Sequence, residues 1–153
     1  VPEFLGSGEW RPRPSVATLA SAMDVGNPSN MERLRHLHPD WRALAGTLRA
    51  HAVSDEAIRA AIRRDFREWG ETWCPHTATA AQVWRELSEA RRGGRHWVLV
   101  ATAHPAKFES IVEPLIGRTV EIPPALAELL DRPSQADEID ASLPALRRAL
   151  LAG

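Results

Sequence analysis

Only one run in this chain, Trp97-Val98-Leu99-Val100-Ala101, has the composition of a buried strand. A single strand cannot make a sheet, because its backbone N–H and C=O groups need a neighbour to pair with. The run turns polar at Thr102 and His104. Pro105 then breaks it, and a helical stripe of Phe108, Ile111, Val112 and Leu115 follows. In open α/β sheets, ligands bind at the carboxyl end of the strands, where Thr102 and His104 stand. The expected fold is therefore helix-rich α/β with an incomplete sheet, whose missing strands come from upstream of Val1. The opening residues Val1-Pro2-Glu3-Phe4-Leu5, with no initiator methionine, fit a partial sequence.

Apolar spacing and turn chemistry set the other elements. Residues 1–15, with Gly6, Gly8, Pro12 and Pro14, read as an irregular opening loop. Residues 15–25 suit a short helix or a strand. Gly26 to Asn30 is a turn whose asparagines can cap the helix that follows. Met31, Leu34 and Leu37 mark that helix. Trp41, Leu44, Ala45 and Leu48 mark a second, and residues 51–53 are a possible strand. Ser54 as N-cap, Asp55 and Glu56 in the first turn, and the stripe Ile58, Ala61, Ile62, Phe66 and Trp69 predict a helix that Gly70 stops. Another runs from Thr77 to Gly93-Gly94. A helix from about Ala106 ends at Gly117, and residues 119–122 alternate like an edge strand. Pro123-Pro124 opens a short helix to Leu130. Residues 131–139 are a polar linker before a closing helix marked by Leu143, Leu146 and Leu150.

The chain has 153 residues, 44% apolar and 25% charged, which suits one soluble domain with a real core. A net charge of -1 offers no electrostatic case for nucleic acid or an acidic membrane, and no apolar run approaches a membrane span. Cys74 is the sole cysteine, which fits a reducing, cytoplasmic setting and excludes an intrachain disulfide. His36 and His38 are two apart, so a helix points them to different faces. No zinc spacing occurs, and no metal site is expected.

Three stretches carry candidate chemistry. They are Thr18-Leu19-Ala20-Ser21-Ala22-Met23-Asp24-Val25-Gly26-Asn27-Pro28-Ser29-Asn30, then Cys74-Pro75-His76-Thr77-Ala78, then Ala101-Thr102-Ala103-His104-Pro105-Ala106-Lys107-Phe108. In that order and at similar spacing they resemble the C-terminal third of threonine synthase, an enzyme that uses pyridoxal phosphate (PLP) and has the tryptophan-synthase-β type of fold. The segment Ile111 to Gly117 is also similar, so the resemblance covers nearly the whole chain. It implies the C-terminal part of a PLP fold type II large domain, with residues 1–153 as one segment. It also implies conversion of O-phosphohomoserine and water to threonine and phosphate.

By that resemblance Thr102 is the hydroxyl that meets the pyridine nitrogen of PLP. Asp24, Asn27, Ser29, Asn30, His76 and His104 are possible pocket-lining residues. On a continuing strand, His104 would share a face with Thr102. Lys107, the only lysine, invites a Schiff-base role. The family places that lysine in its N-terminal part, so Lys107 is better read as packing at a helix start or forming an ion pair. Cys74 departs from the family's acid at that position. Neither the Schiff-base lysine nor a glycine-rich phosphate loop occurs here, so the chain alone is expected to be inactive without the N-terminal portion. The alternatives are a free-standing, non-catalytic structural or binding domain of the same descent, and a small hydrolase using His76 or His104. The hydrolase has no Gly-x-Ser-x-Gly elbow in its favour.

Overall fold

In a computed structural model, which describes residues 1–130, 132–133 and 136–152, the chain divides into two compact units, Val1–Glu121 and Ile122–Gly153.

The first unit begins with a helix where a loop was expected, α1 (Pro2–Ser7). Pro2 sits at its first turn, and Gly8 ends it in the left-handed conformation at φ 77. Both residues are helix-boundary signals, here only six residues apart. Helices α2 (Asn30–Leu37) and α3 (Trp41–Thr47) form as predicted, and the Asp40 carboxylate caps α3 by accepting the Arg42 N–H. Phe4, Met31 and Leu44 bury together, with Trp10, Leu34 and Trp41 packed around them.

The main core lies on α4 (Asp55–Trp69), which Ser54 caps by accepting the Ala57 N–H at 3.2 Å. It packs against α5 (Pro75–Glu86) and α7 (Glu109–Ile116). Ile58, Ala61 and Ile62 of α4, Ala78 and Ala81 of α5, and Val112 of α7 are buried. A charge is buried with them. Asp65 accepts the Trp73 indole N–H at 3.1 Å and the Arg64 Nε–H at 3.0 Å. Arg85 Nε lies 2.9 Å from the same carboxylate without aiming its N–H at an oxygen, so that contact is an ion pair rather than a hydrogen bond. Arg85 also reaches Glu68 at 2.7 Å and stacks 3.8 Å above the Trp69 ring. A carboxylate out of water must be paired in this way, and here the pairing ties α4 to α5.

The helix predicted to run from Thr77 to Gly93-Gly94 starts at Pro75 and stops at Glu86. A separate single turn follows, α6 (Glu89–Arg92). Residues 15–25 form neither the helix nor the strand expected, only a 3-10 turn at Ser21–Met23. No strand occurs among the described residues, so the α/β expectation is met in its helices alone. Residues 97–101 are irregular and have no backbone hydrogen-bond partner among the described residues. The same correction applies to residues 51–53 and 119–122. Their apolar content is right for strands, but the chain brings no second strand beside any of them. A 3-10 turn at Pro105–Phe108 then leads directly into α7.

The second unit contains α8 (Pro124–Leu130) and α9 (Leu143–Leu151), the latter capped by Ser142 accepting the Ala145 N–H at 3.3 Å. Leu143, Leu146 and Leu150, expected as the apolar stripe of α9, are all exposed. Positions 131, 134 and 135 of the expected linker lie outside the described residues.

Candidate functional site

The first motif stretch is a loop closed on itself. The Asp24 carboxylate accepts both the Thr18 N–H and the Thr18 hydroxyl, each at 2.6 Å, across the 3-10 turn. Gly26 is required by contact, since a Cβ there would stand 1.8 Å from the Arg13 carbonyl oxygen. Its backbone instead pairs with Arg13 and with the Ser15 hydroxyl at 3.1 Å. Asn27 accepts the Trp10 indole N–H at 3.3 Å. The expected side-chain cap on α2 is not made. Ser29 already has helical backbone angles, φ -59 and ψ -29, and makes no cap bond, while Asn30 is the first helical residue. Backbone bonds from Met31 to Pro28 and from Glu32 to Ser29, both 3.2 Å, start the helix instead.

Three side chains fasten this loop to the core. Asp55 accepts the Leu19 N–H at 3.0 Å, His76 Nε2 accepts the Ala22 N–H at 3.0 Å, and the Thr79 hydroxyl approaches the Met23 sulfur at 3.8 Å. His76, second residue of α5, is only 5% exposed. Because its Nε2 accepts a backbone N–H, the ring proton sits on Nδ1. Nδ1 is buried with no partner among the described residues. The ring packs against Phe108 with centroids 5.1 Å apart and a 59° tilt. His76 thus touches both the first and the third motif stretches.

Cys74 is the N-cap of α5. Its buried sulfur accepts the Thr77 N–H at 3.5 Å and lies 3.3 Å from the Thr77 hydroxyl. The thiol therefore takes up the capping work that a carboxylate performs at such a position, with a weaker acceptor. His104 does not share a strand face with Thr102, because the chain bends at Ala103. His104 caps the 3-10 turn instead, its Nδ1 accepting the Ala106 N–H at 3.2 Å. Thr102 is exposed and unbonded among the described residues. Lys107 is exposed too, in the turn that starts the helix, so of the two roles expected for it the packing is not seen and the ion pair is absent among the described residues. A cavity of about 270 Å³ is lined by Cys74, Thr77, Ala101, Ala103 and His104, joining the second and third stretches. Asp24 borders two larger ones of about 530 Å³ each. No group of metal-ligating side chains gathers among the described residues.

The arrangement can be set beside known proteins. The family model for the C-terminal region of threonine synthase matches residues 77–150. Threonine synthase of Escherichia coli is 36% identical over 99% of this chain and 34% of its own length. The crystal structure of that enzyme superposes with a TM-score of 0.83, over 99% of this chain and 35% of that one. This chain is similar to the C-terminal part of threonine synthase. The Serratia marcescens threonine synthase is 37% identical over the same shares. A structure of PLP-bound threonine synthase from Brucella melitensis matches at 25% identity with a TM-score of 0.59, over 86% of this chain and 33% of that one. The chain thus corresponds to the C-terminal part of these enzymes and spans about a third of their length.

Asp55 and Thr79 were missed as loop anchors. Asp55 carries a sequence signal that reads equally well as a first-turn acid, and it does both jobs. Phe108 reads as one more core position, and nothing local marks its contact with a histidine thirty-two positions earlier.

Proposed function

We propose that this chain supplies the C-terminal part of a cytoplasmic threonine synthase of PLP fold type II. In this reading it forms one wall of the cofactor site and makes threonine and phosphate from O-phosphohomoserine and water only together with the N-terminal portion of the enzyme. The observation that carries this is the match of almost the whole chain to about one third of the Escherichia coli enzyme at a TM-score of 0.83. The irregular 97–101 run is then the strand that joins the sheet of the N-terminal portion, which supplies the backbone partners it lacks here.

The residues present fit one edge of PLP and not the rest. Thr102 offers an exposed hydroxyl with no partner among the described residues, suited to donate to a ring nitrogen. The only lysine is Lys107, at the start of a helix, and the sequence has no glycine-rich run to cradle the phosphate. PLP, when bound, supplies the electron sink for elimination and readdition of water. The Thr102 hydroxyl, being neutral, leaves the ring nitrogen without a proton. Asp24 and His76 hold the adjoining loop in shape. Asn27, Ser29, Asn30 and His104 complete the pocket wall.

Phosphate release from O-phosphohomoserine in the presence of PLP tests the reading. The isolated chain should give none, co-expression with an N-terminal threonine synthase portion should give turnover, and Thr102→Ala should lower that turnover about tenfold or more. Enzymatic turnover by the isolated chain would sink the proposal. Failure of the pair to turn over, with the chain well folded, would favour the free-standing, non-catalytic domain.

A further inference from the structure

We propose that His76 is a positioning residue that couples two walls of the active site, the 18–24 loop and the segment from Thr102 to Phe108. The proposal rests on the reading of those stretches as pocket walls. Of the three side chains that anchor the loop, Asp55 bonds the loop alone and the Thr79 hydroxyl otherwise donates to the His76 carbonyl at 2.6 Å, whereas the His76 ring also packs on Phe108. The link is directional at one end and steric at the other. Nε2 accepts the Ala22 N–H at 3.0 Å, and the flat ring rests 5.1 Å from the Phe108 ring. Ala22 is two residues from Asp24, which closes the loop, and Phe108 is six residues from Thr102.

The chemistry explains why histidine serves here. The Ala22 N–H is partly buried and needs an acceptor. An imidazole carries that acceptor on a rigid ring with only two side-chain torsions, so packing on Phe108 fixes where the acceptor points. A displacement of Phe108 therefore moves the acceptor, and through it the loop. Misplacement of a wall by about 1 Å is enough to lower turnover.

Two readouts test this, one of which needs no activity. In the chain alone and in its assembly with the N-terminal portion, long-range imidazole ¹⁵N spectra should show His76 protonated on Nδ1 and bare on Nε2. His76→Leu should speed exchange of the Ala22 amide about tenfold while leaving the Ile62 amide unchanged, and His76→Gln, which keeps an acceptor, should restore most of the protection. In the assembled enzyme His76→Leu should lower kcat/KM for O-phosphohomoserine about tenfold, with rescue by His76→Gln. A proton on Nε2, Ala22 exchange indifferent to His76→Leu, or loss of kcat/KM without rescue by His76→Gln in a folded variant would overturn the coupling. An inactive wild-type assembly would instead count against the proposed function, and the spectra and exchange would still decide the role of His76.

Discussion

The faces shared by α4, α5 and α7 and the 97–101 run are built from the same kinds of side chain, yet they meet opposite fates. Ile62 and Val112 are fully buried at 0% exposure, whereas Val98 and Val100 are 83% and 68% exposed. Hydrophobicity alone does not separate them. The helices satisfy their backbone groups internally, so their apolar faces can close on one another. The 97–101 backbone has no such internal solution, and without a strand beside it the side chains have no surface to close upon.

Substitutions can break or sharpen that contrast. Ile62→Ala, which leaves a void in the closed core, should lower unfolding stability by about 3 kcal/mol in a urea melt. A loss below about 1 kcal/mol would mean that the core is looser than its burial indicates. Asp65→Ala should cost about 2 kcal/mol by the same measurement. It strands the Trp73 N–H and takes one partner from each of two arginines, but Arg85 keeps Glu68, Arg64 keeps Gln82, and both keep some contact with water. Cys74→Ala removes the α5 cap and should cost about 1 kcal/mol. In the native protein the buried Cys74 thiol should also react with a thiol reagent far more slowly than in the unfolded chain. Val98→Thr together with Val100→Thr should shift the stability of the chain alone by no more than about 0.5 kcal/mol. The same pair should reduce recovery of a co-purified complex with the N-terminal portion. A large stability loss in the isolated chain would show that the run already has a partner within it.

Much of the helical framework was legible from the residues. Ser54 as a cap, the stripe from Ile58 to Trp69, and Gly70 as a stop place α4 at Asp55–Trp69 because cap, period and stop agree locally. Where the signals conflict, they mislead. Gly6, Gly8, Pro12 and Pro14 suggested a loop and concealed α1, because Pro2 and Gly8 punctuate a helix of one and a half turns. The motif residues were recognisable as a set, but their contacts were not. Asn27 pairs with Trp10 and His76 with Ala22, partners separated by seventeen and fifty-four positions.

The sequence by itself determined where α4 starts and stops, the likeness of its motifs to those of threonine synthase, and that its strand-like run lacks a mate. Those properties rest on local propensity and on the order of short motifs. Only the tertiary structure decided that Cys74 caps α5, that His104 caps a turn rather than facing along a strand with Thr102, and that His76 joins the first motif to the third. The His76 contacts depend on how the helices pack, and a hydrogen bond across fifty-four positions leaves no local trace in either partner, whereas the Cys74 and His104 caps span only three and two residues and turn on the backbone path there.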